Sequence, residues 1–245
     1  MGLREAYDRA ASIIGPQQTE SFEAALEVER LRLAWKPQDV RVVILAESHV
    51  WTSRTETLAR VIQPDGVETS FARFVYCLGN GEPSLVQPKV SPNRGTPQFW
   101  RLFHDAVHGP DVPLGSILNK NESDPTARAI AKLTLLKEMQ DARIWLVDAS
   151  VTALYRSGEG RLIDGPASER LLRACWEAYV GPLVTSCSPS TILIVGKGVC
   201  RAIVNLVKQA AGDAKVDFIK QPNAHMDADE RRLNRCKVFE LCRRW

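Results

Sequence analysis

Val40-Arg41-Val42-Val43-Ile44-Leu45-Ala46-Glu47-Ser48-His49-Val50-Trp51 decides the fold. Its first half is an almost unbroken β-branched and aliphatic run. Such a run suits a strand buried on both faces, as in a parallel sheet covered by helices. Its second half turns polar abruptly, with an acid, a hydroxyl and an imidazole in consecutive positions. In open α/β sheets ligands bind beyond the carboxyl ends of the strands. Glu47, Ser48 and His49 therefore stand where chemistry is expected, although a solvated strand-end turn uses the same residue types.

Three further runs repeat the pattern. Arg143-Ile144-Trp145-Leu146-Val147 leads to Asp148, and Thr191-Ile192-Leu193-Ile194-Val195 leads to Gly196-Lys197-Gly198. Val216-Asp217-Phe218-Ile219 leads to Lys220-Gln221-Pro222-Asn223. Between the strands, helical spacing of apolar residues predicts helices over 167–180 and 199–210, and a basic helix starts near Asp227. Upstream, helices are predicted over 2–14, closed by Gly15-Pro16, and over about 19–35, closed by Lys36-Pro37. Others are expected from Pro97 and over about 125–139. His104 and His108 fall on the flank of the Pro97 helix and read as surface or packing histidines. A short helix through Glu56–Val61, a turn at Pro64-Asp65-Gly66, and a strand or aromatic loop at 71–77 are expected between them. Residues 79–96, rich in Gly and Pro, form a long irregular loop of a kind more often functional than idle. The fold class is a single three-layer α/β/α domain over 1–245, with a four-stranded, mostly parallel central sheet and N-terminal helices (1–36) packed on it.

Composition narrows the function. The chain has 245 residues, 44% apolar and 25% charged, enough for one sizeable α/β domain. No apolar run approaches the ~18 residues of a membrane span. The charged N-terminus lacks the apolar core of a signal peptide, so a cytoplasmic, membrane-free protein is expected. The six cysteines form no C-x-x-C pair, which disfavours zinc and iron–sulfur sites. A net charge of +3 does not itself indicate nucleic acid, so a nucleic-acid surface would be a local patch.

Parallel strands place their carboxyl ends on one edge. That edge gathers Glu47, Ser48, His49, Asp148, the Gly196-Lys197-Gly198 turn, Gln221, Asn223 and His225. Carboxylates, imidazoles and amides together suit acid/base or electrostatic catalysis. The Gly-Lys-Gly turn opens a helix whose backbone N–H groups favour a phosphate. Its spacing is not that of a P-loop.

The order and context of these motifs resemble the uracil-DNA glycosylase superfamily over roughly residues 40–235. Ala46-Glu47-Ser48-His49-Val50 stands where that family has G-Q-D-P-Y-H or G-E-A-P-G, keeping the Glu of the second form. Leu146-Val147-Asp148-Ala149-Ser150-Val151-Thr152 matches L-L-N-T-x-L-T, with Asp148 at the Asn that reads uracil. Gln221-Pro222-Asn223 stands at H-P-S. Val50 replaces the Tyr that screens out thymine, and Gln221 replaces an imidazole facing uracil O2.

The resemblance implies a monofunctional glycosylase of base excision repair. It would flip uracil from DNA and hydrolyse the N-glycosidic bond with water, using no metal or organic cofactor. The implied partners are uracil-containing and abasic DNA, and the expected state is a monomer. Glu47, His49 and Gln221 are the catalytic candidates: Glu47 to stabilise the oxocarbenium-like sugar or orient water, His49 to steady the departing base or the water, and Gln221 to donate to O2. Ser48, Phe74, Tyr76, Asp148 and Asn223 are the substrate-binding candidates, with Phe74 or Tyr76 stacking on the base and Asp148 accepting from N3–H. Lys197, Gly198, His225, Met226, Arg231, Arg232 and Arg235 are the DNA-binding candidates, with His225 or Met226 as the wedge that fills the gap left by the base. Two alternatives stay open: a catalytically weak relative that binds damaged or abasic DNA, and a small-molecule α/β hydrolase using the same carboxylates.

Overall fold

A computed structural model describes residues 2–91, 95–118 and 125–243. In chain order the strands are β1 (Val42–Ala46), β2 (Arg60–Ile62), β3 (Glu68–Ser70), β4 (Val86–Gln87), β5 (Ile144–Asp148), β6 (Tyr155–Arg156), β7 (Gly160–Arg161), β8 (Thr191–Val195) and β9 (Lys215–Ile219). The α-helices are α1 (Leu3–Ile14), α2 (Phe22–Ala34), α3 (Pro97–His108), α4 (Pro125–Asp141), α5 (Gly165–Cys175), α6 (Gly181–Thr185), α7 (Lys197–Ala210) and α8 (Ala228–Cys242).

Apolar runs become the central sheet, whose order is β5-β1-β8-β9. Every pairing in it is parallel, so the sheet is all-parallel. Every residue of β1, β5 and β8 is buried, as expected for strands covered on both faces. The edge strand β9 is less covered, and its last residue, Ile219, is the one that is fully buried. Helices α1, α5 and α7 pack together on one side, while α3 packs with α4 and α8 on the other. Trp145, Ile44 and Leu146 sit in the core between these layers. Burying each such side chain is worth ~1.5–3 kcal/mol. Among the described residues no helix is long and apolar enough to cross a membrane.

Register fixes the functional edge. Ala46 pairs with Asp148, so Glu47 is the first residue past the end of β1 and lies beside Asp148. The chains stay tied for two more residues, because Ala149 N–H donates to Ala46 O (2.7 Å) and Ser150 N–H to Glu47 O (3.0 Å). Helix α2, capped by the Ser21 hydroxyl on Ala24 N–H, is joined to β5 where Trp145 Nε1–H donates to the Arg32 carbonyl (2.9 Å).

The structure departs from the sequence expectations in three places. The helix expected through Glu56–Val61 is a single 3-10 turn, Glu56–Leu58, followed by β2. The exposed-buried-exposed alternation of Arg60, Val61 and Ile62 is the period of a strand, and too short to stand out in the sequence. With β3 and β4 it makes a second, antiparallel sheet, turned at Pro64-Asp65-Gly66 with Gly66 at φ 82°. Residues 71–77 take the loop form of the two expected there, and it is buried, whereas the expected loop 79–96 contains β4; residues 92–94 of it lie outside the described part. The helix expected over 167–180 is α5 followed by a π turn at Trp176–Val180.

Candidate active site at the carboxyl edge of the sheet

A cavity of about 280 Å³ opens at the carboxyl ends of the strands, and Glu47, His49, Phe74, Asp148, Gln221 and Asn223 are among its walls. A second hollow of about 270 Å³ shares Glu47, Tyr155 and Gln221 with it and runs to Lys197, Lys220 and His225. Residues from all four central strand ends therefore meet at one place.

The floor of the cavity is a buried chain of charges. Asp148 Oδ2 accepts from Arg32 Nη2 (3.1 Å) and lies 3.5 Å from His49 Nδ1. Arg32 is also bonded to Glu29, which accepts from the Tyr179 hydroxyl (2.7 Å). On the other side, His49 Nε2 is 2.5 Å from Glu20 Oε1, and neither side chain is exposed. Glu20 further accepts from Thr52 N–H, Thr152 Oγ1–H and Ala153 N–H. Burial alone pushes the His49 imidazole down, but Glu20 and then Asp148 more than offset it and lift its pKa from 6.5 to about 9. His49 is therefore a cation at neutral pH, held between two carboxylates.

The rim is built differently. Glu47 Oε2 accepts from the Tyr155 hydroxyl (2.6 Å), and Glu47 Oε1 is paired with Arg161 Nη2. Arg161 also donates to Ser168 Oγ (2.7 Å) and Ile163 O (2.8 Å). Burial first, and then the bond to Glu47, raise the pKa of the Tyr155 hydroxyl, so it stays a donor. Both rim partners come from the short β6–β7 hairpin. The first turn of α7 faces the same carboxylate, and a Cβ added at Gly198 would sit 3.7 Å from Glu47 Oε1. The positive end of that helix favours a negative charge there.

The remaining expected residues divide. Phe74 lines the cavity and meets the His49 ring edge-on at 6.2 Å between centroids. Gln221 and Asn223 line it too, and Gln221 packs on Gly196, where a Cβ would come within 3.0 Å of its side chain. Ser48 lines it as a turn residue, accepting from Leu154 N–H (3.2 Å) and donating to His49 O (3.1 Å). Lys197 and Gly198 open α7 beside the second hollow, and His225 stands exposed on its wall.

Three expectations are corrected. Tyr76 is a core residue: its ring is stacked near Trp35 and Phe103, and its hydroxyl accepts from Leu146 N–H (2.7 Å), so it does not reach the cavity. Met226 is 4% exposed and tucked beside α3 and α8, so it cannot project as a wedge. Arg235 is a strut between α8 and α3, with both ends of its guanidinium on the Asp105 carboxylate at 2.7 Å. Arg231 donates to Met226 O (3.0 Å), while Arg232 is an exposed side chain 3.9 Å from Asp111.

Glu20, Arg32, Tyr155 and Arg161 were missed by sequence reasoning. For Arg32 a signal exists: α2 interleaves its charges with Ala24, Ala25, Val28 and Leu31 instead of segregating them on one face, and Glu27, Glu29 and Arg32 are buried along with those apolar residues. Glu20 and the hairpin residues carry no such local sign. Among the described residues no group of three or more His, Cys, Asp or Glu is arranged to hold a metal. No protein-family model matches the chain, and no curated protein matches it in sequence.

Proposed function

We propose that the protein is a DNA glycosylase that removes uracil by hydrolysing its N-glycosidic bond. The observation that carries this reading is the convergence of Glu47, Phe74, Asp148 and Gln221 on one cavity, beside a hollow bordered by Lys197 and Lys220. Phe74 offers a face for a planar base, and Asp148 an acceptor for an N–H. Glu47 lies between the base cavity and the cationic hollow, where a sugar would join base to phosphate. A carboxylate there stabilises the positive charge that develops on the sugar as the bond breaks. The backbone N–H groups of the α7 N-terminus and Lys197 suit a flanking phosphate.

A second reading, binding of damaged or abasic DNA without cleavage, has its own support. Both Glu47 oxygens are already engaged, by Tyr155 and Arg161. The neutralised carboxylate is then a weaker stabiliser. Incubation of the pure protein with uracil-containing, hypoxanthine-containing and abasic oligonucleotides separates the two readings. Strand scission after alkali on the uracil strand supports the glycosylase. Retention of abasic DNA with no base release supports the binder.

A further inference from the structure

A third hollow, of about 270 Å³, lies between α3 and α8, on the far side of the loop that carries Gln221 and Asn223. It meets the cavity at Pro222, which lines both. The two also share a helix. Gln98 and Phe99 of α3 face the cavity, while Arg101, Leu102 and Asp105 face the hollow. The hollow thus sits about one helical turn, roughly 5 Å, farther along α3.

Its inner end is apolar and its mouth cationic. Leu102, Met226 and Val238 are buried and form the inner end. Asp105 is the carboxylate on its wall, and Arg235 holds both of its oxygens at 2.7 Å, so that pair cancels. Arg101 and Arg231 remain, both exposed at the mouth. Arg101 has no hydrogen bond or ion pair with any described residue, and Arg231 donates only to the Met226 carbonyl. A guanidinium group offers donors in a fork that matches a phosphate, and its plane stacks on a ring. A thioether packs well against the edge of an aromatic ring. The ligand these features fit is a planar ring that carries a phosphate.

We infer that the hollow is a second nucleotide site, which takes the nucleotide next to the one in the cavity. The neighbour's base lies against Leu102, Met226 and Val238, and its phosphate between Arg101 and Arg231. The inference rests on the nucleobase reading above and extends its substrate from one nucleotide to two. An acidic peptide would match the charge. The nucleotide is favoured because a strand with one base in the cavity carries its next base toward Pro222 and the hollow. The neighbour must leave the stack to enter, so short single strands are the probes that can fill both places. Met226, which does not project as a wedge, acquires a role from its buried position.

The test is equilibrium binding of single-stranded trimers to the intact protein, read by fluorescence anisotropy and by the ¹³C-methyl NMR signal of Met226. The chain has three methionines, so that signal is identified by its loss in Met226→Leu. Each trimer has 2′-fluoro-2′-deoxyuridine at its centre, whose electron-withdrawing fluorine slows loss of the base. Each flank is either thymidine or an abasic spacer with the same phosphate. On one flank thymidine should bind about tenfold tighter than the spacer, the scale of one base contact. It should also move the Met226 signal, which the spacer on that flank leaves in place. Arg101→Glu, a change at an exposed position, should remove most of the difference between thymidine and spacer. Free thymidine 5′-monophosphate should need a far higher concentration than the trimer to move Met226, since it lacks the anchor in the cavity. Equal binding of thymidine and spacer on both flanks overturns the inference, as does a Met226 signal that no trimer moves. A signal moved as readily by the free mononucleotide, or by oligoglutamate and not by the trimers, overturns it too, giving the hollow to a free nucleotide or to an acidic protein. A thymidine preference without uracil release from DNA would remove the glycosylase and leave this inference standing; release without the preference would do the reverse.

Discussion

Two carboxylates stand on neighbouring strand ends, and the fold treats them differently. Asp148 is reached from inside, by Arg32 on α2, through a pair in which both side chains are at most 2% exposed. Glu47 is reached from outside, by Tyr155 and by an Arg161 whose side chain is 25% exposed. A buried pair costs several kcal/mol to desolvate, and it must be complete or it destabilises the fold. At the rim the carboxylate is itself 5% exposed, but its cation reaches solvent and is partly screened, so loss of this pair costs less than loss of one buried at both ends. The floor is thus part of the architecture, while the rim can be altered with the architecture intact. Function read from the floor should be inseparable from stability, and function read from the rim should be separable from it.

The largest effect expected is on the floor. Arg32→Met leaves Glu29 and Asp148 facing each other with one cation fewer, and should destabilise the protein by ~3–5 kcal/mol, the range for breaking a buried ion pair. Denaturant melts of wild type and mutant would show it as a lower midpoint at an unchanged slope. A change under ~1 kcal/mol would place Arg32 among ordinary surface pairs and dissolve the contrast.

The same contrast predicts a pH dependence. His49 is raised from 6.5 to about 9, with Glu20, Asp148 and, behind Asp148, the Arg32–Glu29 pair as the charges around it. A folded-state pKa above the unfolded value means stability fully present below about pH 6.5 and lost as pH rises through about 9. The loss over that window should be a few kcal/mol at most, at about 1.4 kcal/mol per pH unit. Denaturant midpoints across the window check it, and a flat profile would mean that His49 is not held as a cation.

At the rim the expectation reverses. Glu47→Gln should lower single-turnover uracil release by roughly 10²-fold or more, as when one electrostatic stabiliser is removed. Equilibrium binding of uracil-containing DNA should survive, since only the transition state loses its partner. The melt should move less than for Arg32→Met, because Gln keeps the shape and a hydrogen-bonding oxygen, and Arg161 retains solvent exposure and its bonds to Ser168 and Ile163. Tyr155→Phe and Arg161→Ala measured beside it would show whether the hairpin restrains the carboxylate or merely shields it. An early melt for Glu47→Gln would make the rim architectural too.

The difference between floor and rim also explains what the sequence could reveal. Strands buried on both faces write themselves as apolar runs, so the four-stranded sheet and its functional edge were legible from Val42–Ala46 and its three counterparts. Glu47, His49, Asp148 and Gln221 were legible because each follows such a run. Arg32 reaches Asp148 across 116 residues of chain, and Glu20 reaches His49 across 29, so no local pattern joins them. Tyr155 and Arg161 sit on strands of two residues each, below the length at which periodicity is visible. Met226 and Arg235 were misread because the sequence around them is polar, yet α3 covers that side of α8 and supplies Asp105.

The smallest effect expected lies farthest from the floor, on α8. Arg231 and Arg232 are its exposed basic residues near the loop that carries Gln221 and Asn223, and their present partners are a backbone carbonyl and a surface carboxylate. Each phosphate they neutralise would release counterions, contributing a slope of about −0.9 to log K against log salt on duplex DNA. Arg231→Ala with Arg232→Ala should therefore leave stability within ~0.5 kcal/mol, as for ordinary surface changes. It should weaken DNA binding equally for uracil-containing and normal sequences, and make the salt slope shallower by about 1 to 2. Lys197→Ala, on the first turn of α7, makes the comparison sharper: it borders the hollow next to Glu47 and should also slow base release if a phosphate seats there. Fluorescence anisotropy at several salt concentrations reads the slopes, and single-turnover cleavage reads the rate. An unchanged slope in the double variant would take α8 out of the interface and leave the α7 turn as the cationic side of the site.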